Sequence, residues 1–225
     1  EVVADNEISI TNYLVSKGYK PPLTPIAIGK YNLETEETGR VVSIIRNCGR
    51  EMYQTDLRLE EIFQNLDSKN LDKKTVGTKI VPLIHNIARD FGDFQNAGCL
   101  IGPTHAHGGN SVIFTKLHSK FRKTTIHYLG LCDYEAADTE QELVSMGETE
   151  HQIAQQKSLE MESFLSSLAR YFDGDLVKKI NETFLLGYLS RREVVDISDP
   201  RMFDICATLR EYEHAGIVKI KRDEG

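Results

Sequence analysis

Residues 111–131 read SVIFTKLHSKFRKTTIHYLGL, and this stretch decides whether the chain is all-helical or mixed. Ser111–Leu117 and Thr124–Leu131 are rich in β-branched and aromatic residues, the composition of half-buried strands. They enclose the basic tip Ser119-Lys120-Phe121-Arg122-Lys123. Two strands around a short polar tip predict a β-hairpin, although Ile113–Leu117 would also serve as the start of a helix. Lys116, His118, Lys120 and Arg122 fall on alternate positions, so an extended chain carries all four on one side. Together with Lys123 they form a ridge able to face phosphates, with Phe121 or Tyr128 to stack on a base. The competing explanation is an edge strand kept soluble by lysine.

Upstream of this hairpin the signals are mostly helical. Thr78–Phe91 places Ile80, Leu83, Ile84, Ile87 and Ala88 inward, with Pro82 in the first turn, where its missing N–H costs nothing. Arg50–Leu66 also reads as helix, from Met52, Tyr53, Leu57, Leu59, Ile62, Phe63 and Leu66. Ile26–Ile28 and Val41–Ile45 look like strands around an acidic turn, and Ile8–Lys17 is a short helix that Gly18 would end. Asn96–Ser111, with four glycines and a proline, reads as loop.

Downstream, Thr139–Phe172 is the longest helical candidate, with Gly147 as a weak point and Asp173-Gly174-Asp175 as its breaker. A helix over Leu176–Leu189 follows. Then come a strand-like Val194–Ile197, the cap and proline of Ser198-Asp199-Pro200, and the stripe Met202, Ile205, Cys206, Leu209. Gly216 stops that helix and Ile217–Lys221 reads as a strand, the order of a winged helix-turn-helix half. The fold class is therefore α+β, helix-rich, with a central basic β-hairpin and a C-terminal winged-helix-like unit. The expected division is a mixed lobe over 1–135, holding the basic His-rich segment, and a helical lobe over 136–225.

The 225 residues are 40% hydrophobic and 27% charged, a globular composition. The net charge of −7 hides a segregation: residues 71–130 hold eight basic and three acidic side chains, whereas 131–175 hold two and eleven. Such asymmetry steers partners unless the two segments neutralise each other within the fold. No apolar run approaches the ~20 residues of a spanning helix, so no membrane association is expected. Glu1–Ile10 is acidic and mixed, unlike a signal peptide, and opening on Glu rather than Met is what a fragment would show. Cys48, Cys99, Cys132 and Cys206 are scattered, without a C-x-x-C pair. Buried thiols in a reducing, intracellular compartment, cytoplasmic or nuclear, are the expectation.

Chemistry has few candidates. In Pro103-Thr104-His105-Ala106-His107-Gly108-Gly109-Asn110 two imidazoles two apart on an extended backbone would point one way, as paired metal ligands do. No acidic residue or third histidine follows, and a solvated loop explains the run as well. His85 and Asp90 have an acyltransferase-like spacing but diverge on a helix, where Arg89 and Asp90 would dress the wet side. P-loop, Rossmann and serine-hydrolase signatures are missing. The helix after Asp199 is neutral to acidic, a poor reader of DNA but suited to protein docking.

The reading that follows is a non-enzymatic binding subunit of a larger assembly, needing no cofactor. It docks a protein partner through the winged-helix-like unit and contacts nucleic acid through Lys116, His118, Lys120, Arg122 and Lys123. The alternative from another class is a hydrolase or nuclease using a divalent metal on His105 and His107.

Overall fold

The computed structural model describes residues 2–21, 23–25, 31–33, 40–42, 45–47, 56–58, 76–118, 123–172 and 174–191, and Arg210 and His214 beyond them. At a coarse level the protein is a helix-rich α+β structure. Helix α1 (Val2–Ser16) leads into short strands β1 (Leu23–Pro25), β2 (Tyr31–Leu33), β3 (Arg40–Val42), β4 (Ile45–Asn47) and β5 (Asp56–Arg58). A π-helical turn, Val76–Ile80, opens α2 (Val81–Asn96). Then come β6 (Cys99–Leu100), β7 (Ser111–His118), β8 (Lys123–Leu131) and β9 (Asp138–Thr139). Three helices follow: α3 (Glu140–Ser145), α4 (Glu150–Ala169) and α5 (Asp175–Leu189).

The central hairpin is present. β7 and β8 pair antiparallel from Ser111↔Leu131 to His118↔Lys123, with one irregularity between Val112 and Ile113. β5 pairs on the other side of β7, Asp56↔Phe114 through Arg58↔Val112, so β7 is the middle strand of three. Asp56–Arg58 is thus extended where the apolar spacing of Arg50–Leu66 predicts helix. The pairing with β7 comes from far along the chain, and periodicity within a window cannot register it. Around the acidic turn, β2 pairs with β3 and β1 with β4; Ile26–Ile28 lies outside the described residues.

The long candidate helix Thr139–Phe172 is two helices. Thr139 caps α3 and Thr149 caps α4, each closing a reciprocal capping box, with Glu142 and Gln152 respectively. Between them Gly147 has φ +97°, a left-handed conformation that ends the first helix and that glycine adopts without a steric penalty. The predicted loop Asn96–Ser111 also contains regular structure, since β6 pairs with β9.

One cluster of buried side chains runs from Ile10 and Leu14 of α1 through α2 to Phe164, Leu168, Phe184 and Tyr188. It therefore draws on both sides of residue 135. Phe91 lies at its centre, stacked on Phe164 at 5.0 Å and flanked by Phe184 and Tyr188. Helices α2 and α5 approach so closely that a Cβ on Gly187 would lie 2.6 Å from the His85 carbonyl oxygen, which makes glycine obligatory there. Of the large apolar residues along Thr139–Phe172, Met161, Phe164 and Phe172 are buried, whereas Met146 and Leu159 are exposed. Cys99 and Cys132 are buried and form no disulfide, and burial pushes Cys99 up to about 12. Among the described residues no helix is long and apolar enough to cross a membrane. The winged-helix-like unit lies outside the described residues apart from Arg210 and His214, both exposed and helical.

Candidate functional site

Residues 101–110 leave β6 as a chain of tight turns. The N–H groups of His105 and Ala106 both bond the Gly102 carbonyl, and that of Asn110 bonds the His107 carbonyl. The Asn110 side chain donates to the His105 carbonyl at 2.9 Å, and the Cys132 N–H donates to the Asn110 carbonyl at 2.8 Å. From below, Ser163 and Ser167 of α4 hold the loop: the Ser163 hydroxyl donates to the Pro103 carbonyl, and the Ser167 hydroxyl accepts the Gly108 N–H. Ala106, Gly108, Gly109 and Asn110 are buried, and the two histidines are half-buried.

This differs from both sequence expectations for the loop. It is packed rather than solvated, and His105 sits in a turn rather than on an extended backbone, so the strand argument for two parallel imidazoles does not hold. His107 instead caps the 3₁₀ turn Gly108–Asn110, its Nδ1 accepting the Gly109 N–H at 3.1 Å. Among the described residues no three His, Cys, Asp or Glu side chains gather as metal ligands.

The group that anchors the loop is one that sequence reasoning missed. Glu160, 1% exposed in the middle of α4, accepts the N–H of Gly102 at 2.6 Å and that of Ile101. Its other oxygen accepts from the Gln95 side chain at 2.9 Å, and Gln95 in turn accepts the Tyr188 hydroxyl. Burial pushes Glu160 up to about 7, against the opposing pull of these bonds and of Lys157. Helices α2, α4 and α5 are thereby joined to the loop through one polar chain inside an apolar core. A signal existed: Glu160 stands seven residues after Ile153 and four before Phe164, on the buried stripe.

Asp90 also acts structurally. It accepts the Tyr19 hydroxyl at 2.8 Å and the Leu131 N–H at 3.3 Å, fastening the end of α1 and the end of β8 to α2. It is half-buried and bonded instead of dressing a wet face, while Arg89 is exposed as expected. Beside it lies a polar cleft of about 690 Å³ where α1, α2 and α5 end, lined by Lys17, Lys20, Asp93 and Arg191. Arg191 Nε bonds Asp93 at 2.7 Å, which raises the guanidinium further.

On the hairpin, the register sorts residues by face. His118 stands opposite Lys123, Lys116 opposite Thr125, and Phe114 opposite His127, so these six positions share one face. Asp56, paired with Phe114, and Arg58 extend it on β5. Ile113, Leu117, Ile126 and Tyr128 belong to the other face. Tyr128 is therefore on the wrong side for a base stacked over the ridge, and Phe114 is the aromatic position on the correct side. Lys120, Phe121 and Arg122 lie outside the described residues. Comparison with known protein families and with curated proteins finds none that matches this chain.

Proposed function

We propose that the chain is a non-enzymatic binding subunit that contacts nucleic acid through the polar face of the β7–β8 hairpin. The single observation that carries this reading is the register, which puts Lys116, His118, Lys123 and His127 on the same face as Phe114. Cations spaced along a strand pair suit successive phosphates, and an aromatic position among them suits an unpaired base. Lys120 and Arg122 fall between the two strands in the sequence and belong to the same basic run. A single strand is the better substrate, because its bases are free to stack. A protein partner is assigned to the C-terminal segment on the order of capped helix, glycine and strand that its sequence predicts and on the neutral to acidic composition of that predicted helix.

The test is fluorescence anisotropy with labelled single-stranded RNA and DNA at low salt. Lys116→Glu with Lys123→Glu should abolish binding while circular dichroism stays unchanged. Binding that survives this double variant would remove the hairpin from the proposal.

A further inference from the structure

Three donors meet the buried carboxyl of Glu160: the N–H groups of Ile101 and Gly102 and the side-chain amide of Gln95. That shell suits an ionised carboxylate, which only accepts. A protonated carboxyl carries an O–H that needs an acceptor, and a backbone N–H cannot become one. Of the three partners only Gln95 has an acceptor within the same group, its Oε1, which takes the Tyr188 hydroxyl. Glu160 and Gln95 are at most 1% exposed, so an O–H left without a protein acceptor there would be costly.

A primary amide can present either edge, and a hydroxyl both donates and accepts. The chain Glu160–Gln95–Tyr188 therefore closes in two directions. With Glu160 ionised, Tyr188 donates to Gln95 and Gln95 donates to Glu160, as the structure shows. We propose that this chain is a pH switch across α2, α4 and α5: one proton taken from water by Glu160 turns the Gln95 amide over, so that Gln95 accepts from Glu160 and donates to Tyr188. Turning forfeits the bond from Gln95 Nε2 to the Lys157 carbonyl, the longest of these at 3.2 Å. The new O–H to Oε1 bond replaces it.

The groups facing the carboxyl set where the switch operates. Lys157, three residues earlier on α4 and paired with Glu140 of α3, favours the carboxylate. Burial favours the acid and is the larger influence, which brings Glu160 up to about 7. Cys99 of β6, raised by burial and by Glu140 and Glu142, remains a neutral thiol through that range. Tyr188 of α5 likewise stays a neutral phenol at neutral pH.

The test is a pH titration of the ¹³C,¹⁵N-labelled full chain by NMR. The Glu160 carboxyl carbon and the Gln95 side-chain NH2 should move with one shared midpoint near 7. About two pH units above it, the strongest through-space contacts of the Gln95 NH2 should be to Glu160 and Lys157; about two units below, to the Tyr188 ring. The NH2 of Gln152, exposed near the start of the same helix, should not follow that midpoint. In Glu160→Gln the substituted NH2 is a permanent donor in place of the O–H, so the Gln95 NH2 should contact the Tyr188 ring at every pH. Contacts from Gln95 that stay with Glu160 and Lys157 while the Glu160 carboxyl titrates would overturn the proposal. So would a Glu160 carboxyl that does not titrate between those limits, a Gln152 NH2 that moves in step, or a Gln95 amide that still turns with pH in Glu160→Gln.

Discussion

The loop 101–110 and the β7–β8 hairpin follow one another in the chain, and each carries two of the seven histidines. Their fates differ. In the loop, turns bonded back to Gly102 and His107 abolish the alternation that would have paired His105 with His107. In the hairpin, the regular ladder preserves it, so that His118 and His127 share a face with Lys116 and Lys123. Spacing in a sequence acquires chemical meaning only where the backbone repeats. The loop's polar groups are directed inward, onto Glu160 and the serines of α4, and hold the structure together. The hairpin's cations are brought together by register alone.

That contrast predicts where stability resides. The largest effect should follow Glu160→Ala, which strands the N–H groups of Ile101 and Gly102 and the Gln95 amide. A loss of about 3 kcal/mol in urea unfolding at pH 5 is expected, in the range for buried polar groups deprived of a partner. A loss under about half a kcal/mol would show that the loop is not anchored there.

Next comes pH. Glu160 at about 7 and Glu7 at about 6 both stand above their unfolded value of 4.5, each raised first by burial. Between those limits these two groups bind more protons in the native state than in the unfolded chain, so the stability they contribute is full below about pH 4.5 and is lost as pH rises through 6 to 7. From Glu160 alone the fall between pH 5 and 8 should reach about 1–3 kcal/mol. Glu160→Gln should flatten most of that slope, and an equally steep slope in the variant would assign the titration elsewhere.

Smaller effects distinguish the two loop histidines. His107→Ala removes a cap and should cost about 1 kcal/mol, whereas His105→Ala should stay within about 0.5 kcal/mol. Equal costs would contradict the capping role. Smallest of all, Lys116→Glu with Lys123→Glu should leave the urea midpoint nearly unmoved, within about 0.5 kcal/mol.

The same distinction explains how much was legible in the sequence. Elements announced by local chemistry were readable: α2 from its stripe and Pro82, α5 from its periodicity, and the end of α1 from Gly18, whose φ of +82° lets Tyr19 N–H bond back to the Leu14 carbonyl. The hairpin was readable from alternation. β5 was not, because its helical spacing is overridden by a partner more than fifty residues away. The break at Gly147 was available in two Thr-x-x-Glu/Gln signatures but was masked by an apolar drift that runs through it. Of the candidate site, the ridge positions 116, 118 and 123 come together, and Phe114 and His127 join them only once the register is known. Glu160 was concealed by its charge, since a carboxylate in an acidic segment reads as solvated until the backbone N–H groups that bury it are in place.

The salt dependence of single-stranded nucleic-acid binding tests the central claim most directly. Each phosphate contact on a single strand contributes a slope of about −0.7 in log affinity against log salt. Three or four contacts from Lys116, Lys120, Arg122 and Lys123 predict a slope of roughly −2 to −3, falling toward zero in the charge-reversed hairpin. Absence of binding at low salt, or a slope that the hairpin substitutions leave intact, would contradict the account.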